Sequence, residues 1–156
     1  MRCFVALLPG QESRPALAAL LHRAAQGHPQ ARAVHPEDLH LTLAFIGELP
    51  EARARALAAA LAQRSAPPAP PWQLDHLGAF ERARVLWAGG PPHPGLDALA
   101  AEVRASLDAA GVLYDRKRFV PHVTLLRKLP LEAATELAER AAIAPPIPWA
   151  MGAPVL

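Results

Sequence analysis

The sequence predicts an α+β fold of two pseudo-symmetric lobes, each with an antiparallel sheet flanked by helices, around a central cleft. The chain has 156 residues, of which 52% are hydrophobic, and this suffices for one packed domain. Strand-like and helix-like segments alternate along it. The same order of segments occurs twice, over about residues 2–64 and 84–142, which indicates an internal repeat. We therefore predict a single domain over residues 1–156, built from a duplicated unit of strand, helix, strand and helix.

The first unit opens with the apolar segment FVALLP, which is typical of a buried strand closed by a Pro-Gly turn. Leucines then recur at helical spacing between a capping serine and a terminating glycine. The predicted elements are a strand over Arg2–Leu8, a helix from Ser13 to Gly27, a strand over Leu39–Ile46 and a helix from Pro50 to about Arg64. The proline-rich segment APPAPP at residues 66–71 predicts a stiff connector to the second unit.

The second unit starts with a predicted hairpin, followed by a strongly amphipathic helix that ends before Gly111. Its predicted elements are strands over Trp72–Ala79 and Arg84–Ala88, a helix containing Leu96, Leu99, Val103 and Leu107, a strand over Phe119–Leu126, and a helix from Pro130 to about Ala142. Strands alternating with helices also suit a doubly wound parallel sheet, but the hairpin argues against it. The tail 145–156, which contains Trp149, predicts one more short strand.

Charge and cysteine content narrow the function only weakly. The net charge is +2 and the sequence pI is about 9.2, which is compatible with an anionic substrate. The single cysteine, Cys3, excludes an intramolecular disulfide and a cysteine-based zinc site, and we expect it to be a core residue of the first strand. The sequence shows neither a signal peptide nor an apolar run of membrane length, so the expectation is a cytoplasmic protein without membrane partners.

A His-x-Thr motif stands at the same place in both units, as HLTLAF at 40–45 and HVTLLR at 122–127. Residues i and i+2 of a strand share a face. His40 and Thr42 are therefore predicted to project from one face, with aliphatic residues on the other, and His122 and Thr124 likewise. The chain has only three threonines, and two of them follow a histidine by two positions. Because this coincidence is improbable by chance, we interpret both pairs as functional.

Two histidines and two threonines around one cleft suit the cleavage of a phosphodiester. A neutral imidazole takes a proton from water, and an imidazolium gives one to the leaving oxygen. An ordinary histidine pKa near 6.5 makes both states accessible near neutral pH. Threonine hydroxyls can bind the non-bridging phosphate oxygens. This chemistry needs neither a metal nor a cofactor, and the residues alone do not assign the acid and the base.

These motifs resemble those of the 2H phosphoesterase superfamily, and in particular the RNA 2′,3′-cyclic phosphodiesterases of the LigT or ThpR type, formerly called 2′-5′ RNA ligases. The resembling segments are FVALLP, DLHLTLAFIGEL, RVLWAG and FVPHVTLLRK, and the likeness extends from residue 2 to about 150. The resemblance implies hydrolysis of RNA 2′,3′-cyclic phosphate ends to 2′-phosphomonoesters. It further implies His40 as the proton donor, His122 as the proton acceptor, and Thr42 and Thr124 as phosphate ligands.

The resemblance weakens at its C-terminal end. Family members continue beyond the position of Trp149 with further strand residues, whereas this chain ends at Leu156. We therefore expect one sheet edge to be less covered than in the family.

Several other residues are weaker candidates. Arg127, just beyond the second motif, is a candidate phosphate ligand. Strand alternation places Phe45 and Phe119 in the core rather than at the site. The basic run 116–118 is interpreted as solvated loop, with contact to an RNA backbone as the alternative. The remaining five histidines have no metal-ligand spacing and are expected at surface or packing positions: His22, His28, His35, His76 and His93.

Three functional hypotheses remain at this point. The first is the cyclic phosphodiesterase, acting as a monomer on RNA ends such as those of tRNA halves. The second is joining or cleavage of 2′-5′ linkages at the same site. The third is a binding module for RNA ends or nucleotides that has no catalytic activity.

Overall fold

The protein is described from a computed structural model that covers residues 1–64, 69–136 and 141–156. The strands are β1 (Arg2–Leu7), β2 (Arg32–Ala33), β3 (Leu41–Glu48), β4 (Trp72–Phe80), β5 (Val85–Gly89), β6 (Val123–Arg127) and β7 (Ala141–Trp149). The α-helices are α1 (Arg14–Gly27), α2 (Glu51–Ala62), α3 (Pro94–Ala109) and α4 (Leu131–Glu136). Two 3-10 turns, at Gln11–Ser13 and Pro36–Asp38, complete the assignment.

The strands form a seven-stranded sheet in the order β1-β3-β6-β5-β4-β7, with β2 paired to β6. All strand pairs are antiparallel. The predicted α+β class, with antiparallel strands and flanking helices, is confirmed. The two expected sheets are joined into one by the pairing of β3 with β6, which has a single pair in register, Leu41 with Val123.

Helices α1 and α3 pack through the faces that the sequence predicted. On α1 the buried residues are Leu17, Leu20, Leu21 and Ala24, and on α3 they include Leu96, Leu99, Val103 and Leu107. Ser13 precedes α1 as predicted, but its side chain makes no capping hydrogen bond. Its hydroxyl donates instead to the carbonyl of Pro148, so that it ties the start of α1 to β7.

The predicted extent of the last helix is wrong at its end. Helix α4 is described only to Glu136, and by Ala141 the chain is already in strand β7. Ile147 and Trp149 are buried on β7, and Trp149 pairs with Trp72 of β4. The strand predicted in the tail around Trp149 is therefore confirmed, but it starts at Ala141, where pairing with β4 prevails over the local helix preference of the alanines. Because β7 is an edge strand, it tolerates the prolines that a helix excludes.

Two sequence predictions fall partly outside the described residues. The stiff connector at 66–71 includes residues 66–68, and the predicted last helix includes residues 137–140. In the described part of the chain, no helix is both long and apolar enough to cross a membrane.

Candidate active site

The two His-x-Thr motifs occupy equivalent positions in the sheet. His40 immediately precedes β3, and His122 immediately precedes β6. The five residues after each histidine also have the same pattern of burial: buried, half-buried, buried, buried, exposed. The half-buried second position is Thr42 in one strand and Thr124 in the other.

The pairing of Leu41 with Val123 brings the motifs together. Both side chains are fully buried, and they pair in antiparallel register. Extending this register by one residue on each side places His40 opposite Thr124, and His122 opposite Thr42. Since side chains alternate between the faces of a sheet, all four polar side chains lie on the face opposite to Leu41 and Val123.

One cavity of about 430 Å³ is lined by both motifs. It contains every residue that the sequence singled out for the site: His40, Thr42, His122, Thr124 and Arg127. It also brings in aromatic and charged residues from β4, α3 and the loop before β6: Phe80, Arg104, Asp115, Lys117, Arg118 and Phe119.

Both imidazoles are oriented by the same backbone contact. The Nδ1 of His40 lies 2.6 Å from the carbonyl oxygen of Asp38, and the Nδ1 of His122 lies 2.7 Å from that of Val120. A carbonyl oxygen only accepts hydrogen bonds, so Nδ1 carries a proton in both rings. This leaves Nε2 of each histidine as the atom at which a proton can be exchanged.

The two histidines differ in their aromatic neighbours. Phe4 stacks on His40, with ring centroids 4.6 Å apart and an interplanar angle of 28°. Phe80 instead meets His122 edge to face, at 4.9 Å and 84°.

Burial lowers the pKa of His122 below its ordinary value, and the positive charges of His40 and Arg127 lower it further. The hydrogen bond to Val120 acts in the opposite direction but is the smaller effect. Desolvation disfavours the charged imidazolium, so His122 is neutral at neutral pH. A neutral ring with a free Nε2 can accept a proton.

A β-bulge in each motif strand changes which residues face the site. Ala6 pairs with Thr42 but Val5 pairs with Ala44, so Leu43 is the extra residue in β3. In β6 the corresponding extra residue is Leu125. A bulge reverses the alternation of side chains beyond it. The residue five positions after each histidine therefore turns onto the same face as the histidine and the threonine. This residue is Phe45 in β3 and Arg127 in β6.

The expectation that Phe45 belongs to the core is therefore wrong. Its side chain is 54% exposed and lines the cavity, because the bulge shifts the parity on which the expectation depended. Arg127, at the equivalent position of the other motif, also lines the cavity. Phe119 packs partly against the core, as expected, but lines the cavity as well.

Sequence reasoning missed Arg104, which lies on α3 far from both motifs. Its guanidinium donates to the carbonyls of Leu43 at 3.3 Å and Lys117 at 2.9 Å. It also lies over the rings of Tyr114 and Phe119. Arg104 thus connects the first motif strand to the loop before β6. Arg104 belongs to no sequence motif, and its position in an amphipathic helix predicts only an ordinary polar surface residue.

The basic run 116–118 is divided by the fold. Lys117 and Arg118 line the cavity, whereas Arg116 binds Asp108 at 2.6 Å and covers the ring of Tyr114. The cavity therefore has four cationic side chains, Arg104, Lys117, Arg118 and Arg127, against one carboxylate, Asp115. Such an excess of positive charge favours an anionic ligand.

Among the residues outside the motifs, His35 and His93 accept hydrogen bonds from backbone amides at the starts of helical turns. His76 contacts the Asp75 carboxylate at 2.6 Å. Across residues 1–64, 69–136 and 141–156, no group of three or more His, Cys, Asp or Glu side chains is arranged to hold a metal ion.

Paired His-Thr motifs on adjacent strands, opening into one basic cavity, define the class of site found in phosphoesterases that use two histidines. A family model described as the 2′-5′ RNA ligase superfamily matches residues 10–153. The chain belongs to this superfamily.

Comparison with individual proteins agrees with this. The chain is 34% identical over 134 residues to an RNA 2′,3′-cyclic phosphodiesterase of Geobacillus stearothermophilus, covering 83% of this chain and 43% of the relative. It is 40% identical over 107 residues to the enzyme of that name from Escherichia coli (strain K12), covering 67% and 60%. It thus spans less than two thirds of either relative. A crystal structure of E. coli LigT complexed with 3′-AMP aligns with a TM-score of 0.68 and 31% identity, covering 98% of this chain and 81% of that one.

Proposed function

We propose that the protein hydrolyses RNA 2′,3′-cyclic phosphodiester ends to 2′-phosphomonoesters by metal-free acid–base catalysis. The observation that carries the proposal is the cavity in which both His-x-Thr motifs meet, each imidazole fixed through Nδ1 with Nε2 left for proton transfer. The relatives named as RNA 2′,3′-cyclic phosphodiesterases support the substrate class.

In the proposed reaction, water attacks phosphorus and the bond from phosphorus to the 3′ oxygen breaks. His122 accepts the proton that water loses, and His40 in its imidazolium form donates a proton to the departing 3′ oxygen. The phosphate stays on the 2′ oxygen. The direction in which the pKa of His122 is shifted supports the acceptor role. The donor role of His40 follows from the family resemblance and from the need for a second group to complete the proton transfer.

Thr42, Thr124 and Arg127 are proposed to bind the non-bridging phosphate oxygens. The hydroxyls are half-buried on the site face, and the guanidinium is brought to the same cavity by the bulge in β6. Fixed donors stabilise the charge that develops on these oxygens in the transition state.

The test is turnover of an oligonucleotide with a 2′,3′-cyclic phosphate end, in buffer containing EDTA. We expect activity to persist in the chelator and to fall by at least about a hundredfold in His40→Ala and in His122→Ala, given what general acid–base groups contribute. Loss of wild-type turnover in EDTA would refute the metal-free mechanism. Full activity in either variant would refute that histidine's role.

A second candidate is the joining or cleavage of 2′-5′ linkages at this same site. It is favoured by the superfamily match and by an acid and a base that can act in either direction. Incubation with split tRNA halves, followed by analysis of the linkage, distinguishes joining from hydrolysis. Binding of a 2′-phosphate end without turnover of any substrate would instead support a module that only binds RNA ends.

We also propose a single domain over residues 1–156 with a duplicated unit at about 2–64 and 84–142. The equivalent pairings of β3 with β1 and of β6 with β5, each interrupted by a bulge, support it. The proposed cell location is the cytoplasm, the proposed state is a monomer, and the RNA ends of tRNA halves are one proposed substrate.

A further inference from the structure

A row of aromatic rings leads away from the candidate site along β5 and β4. Phe80 contacts His122 at a centroid distance of 4.9 Å. Trp87 lies 5.3 Å beyond Phe80, and His76 lies 5.6 Å beyond Trp87. We call Phe80, Trp87 and His76 the aromatic row. Its first member lines the cavity of the two motifs.

The aromatic row lies on the same face of the sheet as the catalytic candidates. Trp87 pairs with Thr124 on one side and with Gly78 on the other. Residues paired across strands project from the same face. His76 and Phe80 are two positions from Gly78 on β4, so they share its face as well. Leu77 and Leu86 point to the opposite face of these strands, where they line a separate cavity together with residues of α1.

Two glycines allow the indole to lie flat on the sheet. A Cβ atom at Gly78 would come within 2.4 Å of the Trp87 ring, and one at Gly89 within 2.7 Å. Trp87 is half-buried, and its buried Nε1 has no hydrogen-bond partner among the described residues. Packing against the glycines and the neighbouring rings therefore fixes the indole, without a hydrogen bond.

We propose that the aromatic row is a binding subsite for a second nucleobase, that of a nucleotide next to the one whose phosphate occupies the two-histidine cavity. Aromatic side chains bind single-stranded nucleic acid by stacking on bases, regardless of base identity. Phe80 borders the two-histidine cavity, but Trp87 and His76 lie beyond it, so the far end of the row is within reach only of a ligand longer than one nucleotide. The proposal rests on the proposed function and adds to it that the protein selects RNA ends over cyclic mononucleotides.

The experiment compares equilibrium binding of two product-like probes, adenosine 2′-monophosphate and a triadenylate with a 2′-phosphate end. We expect the triadenylate to bind about tenfold more tightly to the wild type, since stacking of one base contributes on this order. In Trp87→Ala this ratio of dissociation constants should fall to about one. In Trp87→Phe, which keeps an aromatic ring, the ratio should stay within about threefold of the wild type.

Wild-type fluorescence provides a measurement that does not depend on a variant folding. Trp72 and Trp149 are buried, at 1% and 0% exposure, whereas Trp87 is half-buried. We expect the triadenylate to quench the tryptophan emission and the mononucleotide to leave it unchanged.

Equal affinity of the wild type for both probes, or equal weakening of both by Trp87→Ala, would overturn the proposed base subsite. Failure of the proposed function can be distinguished from failure of the subsite. In that case the protein would not turn over a cyclic phosphate end, but the ratio of dissociation constants for the two probes would persist.

Discussion

His40 and His122 share a backbone contact but not an environment. Both donate from Nδ1 to the carbonyl two residues earlier. Burial is the main reason that the pKa of His122 lies below its ordinary value. A side chain that covers His122 therefore controls the pH at which this ring gains a proton, and Phe80 packs edge to face against it.

The first prediction concerns Phe80→Ala. Because the pKa of His122 lies below its ordinary value, the midpoint of the acid limb of the kcat/KM profile should lie below about pH 6.5 in the wild type. Removing the ring of Phe80 exposes His122 to water, so its pKa rises and the acid limb should move to higher pH. The profile is measured with a cyclic mononucleotide, and Phe80→Leu is the control because it keeps most of the burial. An acid limb unchanged in Phe80→Ala would contradict the assignment of this limb to His122.

The second prediction concerns the charge of Arg127. Arg127→Gln should raise KM for a cyclic phosphate end by about tenfold or more, the scale of one hydrogen bond to a charged group. It should also move the acid limb upward, because the positive charge of Arg127 lowers the pKa of His122. Arg127→Lys keeps the charge without the bidentate geometry, so it should raise KM but leave the acid limb in place. If the two variants gave the same pH profile, the positive charge of Arg127 would not be what lowers the pKa of His122.

At the scale of elements, the two bulges decide which residues reach the site. Regular alternation predicts Phe45 in the core, and the bulge at Leu43 turns it to the surface. The sequence gives a weak indication of each bulge, since two apolar residues follow one another in each motif strand: Leu43-Ala44 and Leu125-Leu126. A bulge depends on pairing with a second strand, however, and that pairing is not visible in one strand's sequence.

The third prediction tests this orientation with Phe45→Ala. Since the side chain is 54% exposed, the free energy of unfolding should change by less than about 1 kcal/mol, whereas truncation of a core phenylalanine costs about 3–5 kcal/mol. Urea unfolding measures the difference. Leu43→Ala is the matched control in the same strand, and because Leu43 is fully buried it should lose about 2–5 kcal/mol. If Phe45→Ala lowered the free energy of unfolding by about 3–5 kcal/mol, Phe45 would belong to the core, as regular alternation predicts.

The elements themselves were predicted well where local pattern and packing agree. The apolar faces of α1 and α3 follow directly from leucine spacing, and the β4–β5 hairpin follows from its flanking strand segments. Prediction found the tail strand around Trp149 but placed its start too late, because Ala141 and Ala142 were assigned to the preceding helix. It also missed Arg104, because its hydrogen bonds to Leu43 and Lys117 join segments distant in sequence. Contacts of that kind are set by the tertiary fold.

At the scale of the whole molecule, one residue pair joins the two halves of the sheet. The strands β1 and β3 connect to β6, β5, β4 and β7 through Leu41 and Val123. The same pair stands directly beside both histidines in the chain. The spacing between the proposed acid and base is therefore fixed at the junction of the halves, and a change in packing there should affect catalysis more than an equal change elsewhere in the core.

The fourth prediction compares Leu41→Ala with Leu17→Ala. Both leucines are almost completely buried, at 0% and 1% exposure, and either truncation should cost about 2–5 kcal/mol of unfolding free energy. Leu17 lies on α1 and belongs to neither of the two strands that pair at the junction, so its variant should keep kcat within about threefold of the wild type at a temperature where it is folded. Leu41→Ala should lower kcat by about a hundredfold, because a displacement of about 1 Å between catalytic groups has an effect of this order. Urea unfolding and single-turnover rates on the same samples separate stability from chemistry. Equal kcat values in the two variants would show that the junction does not set the geometry of the site.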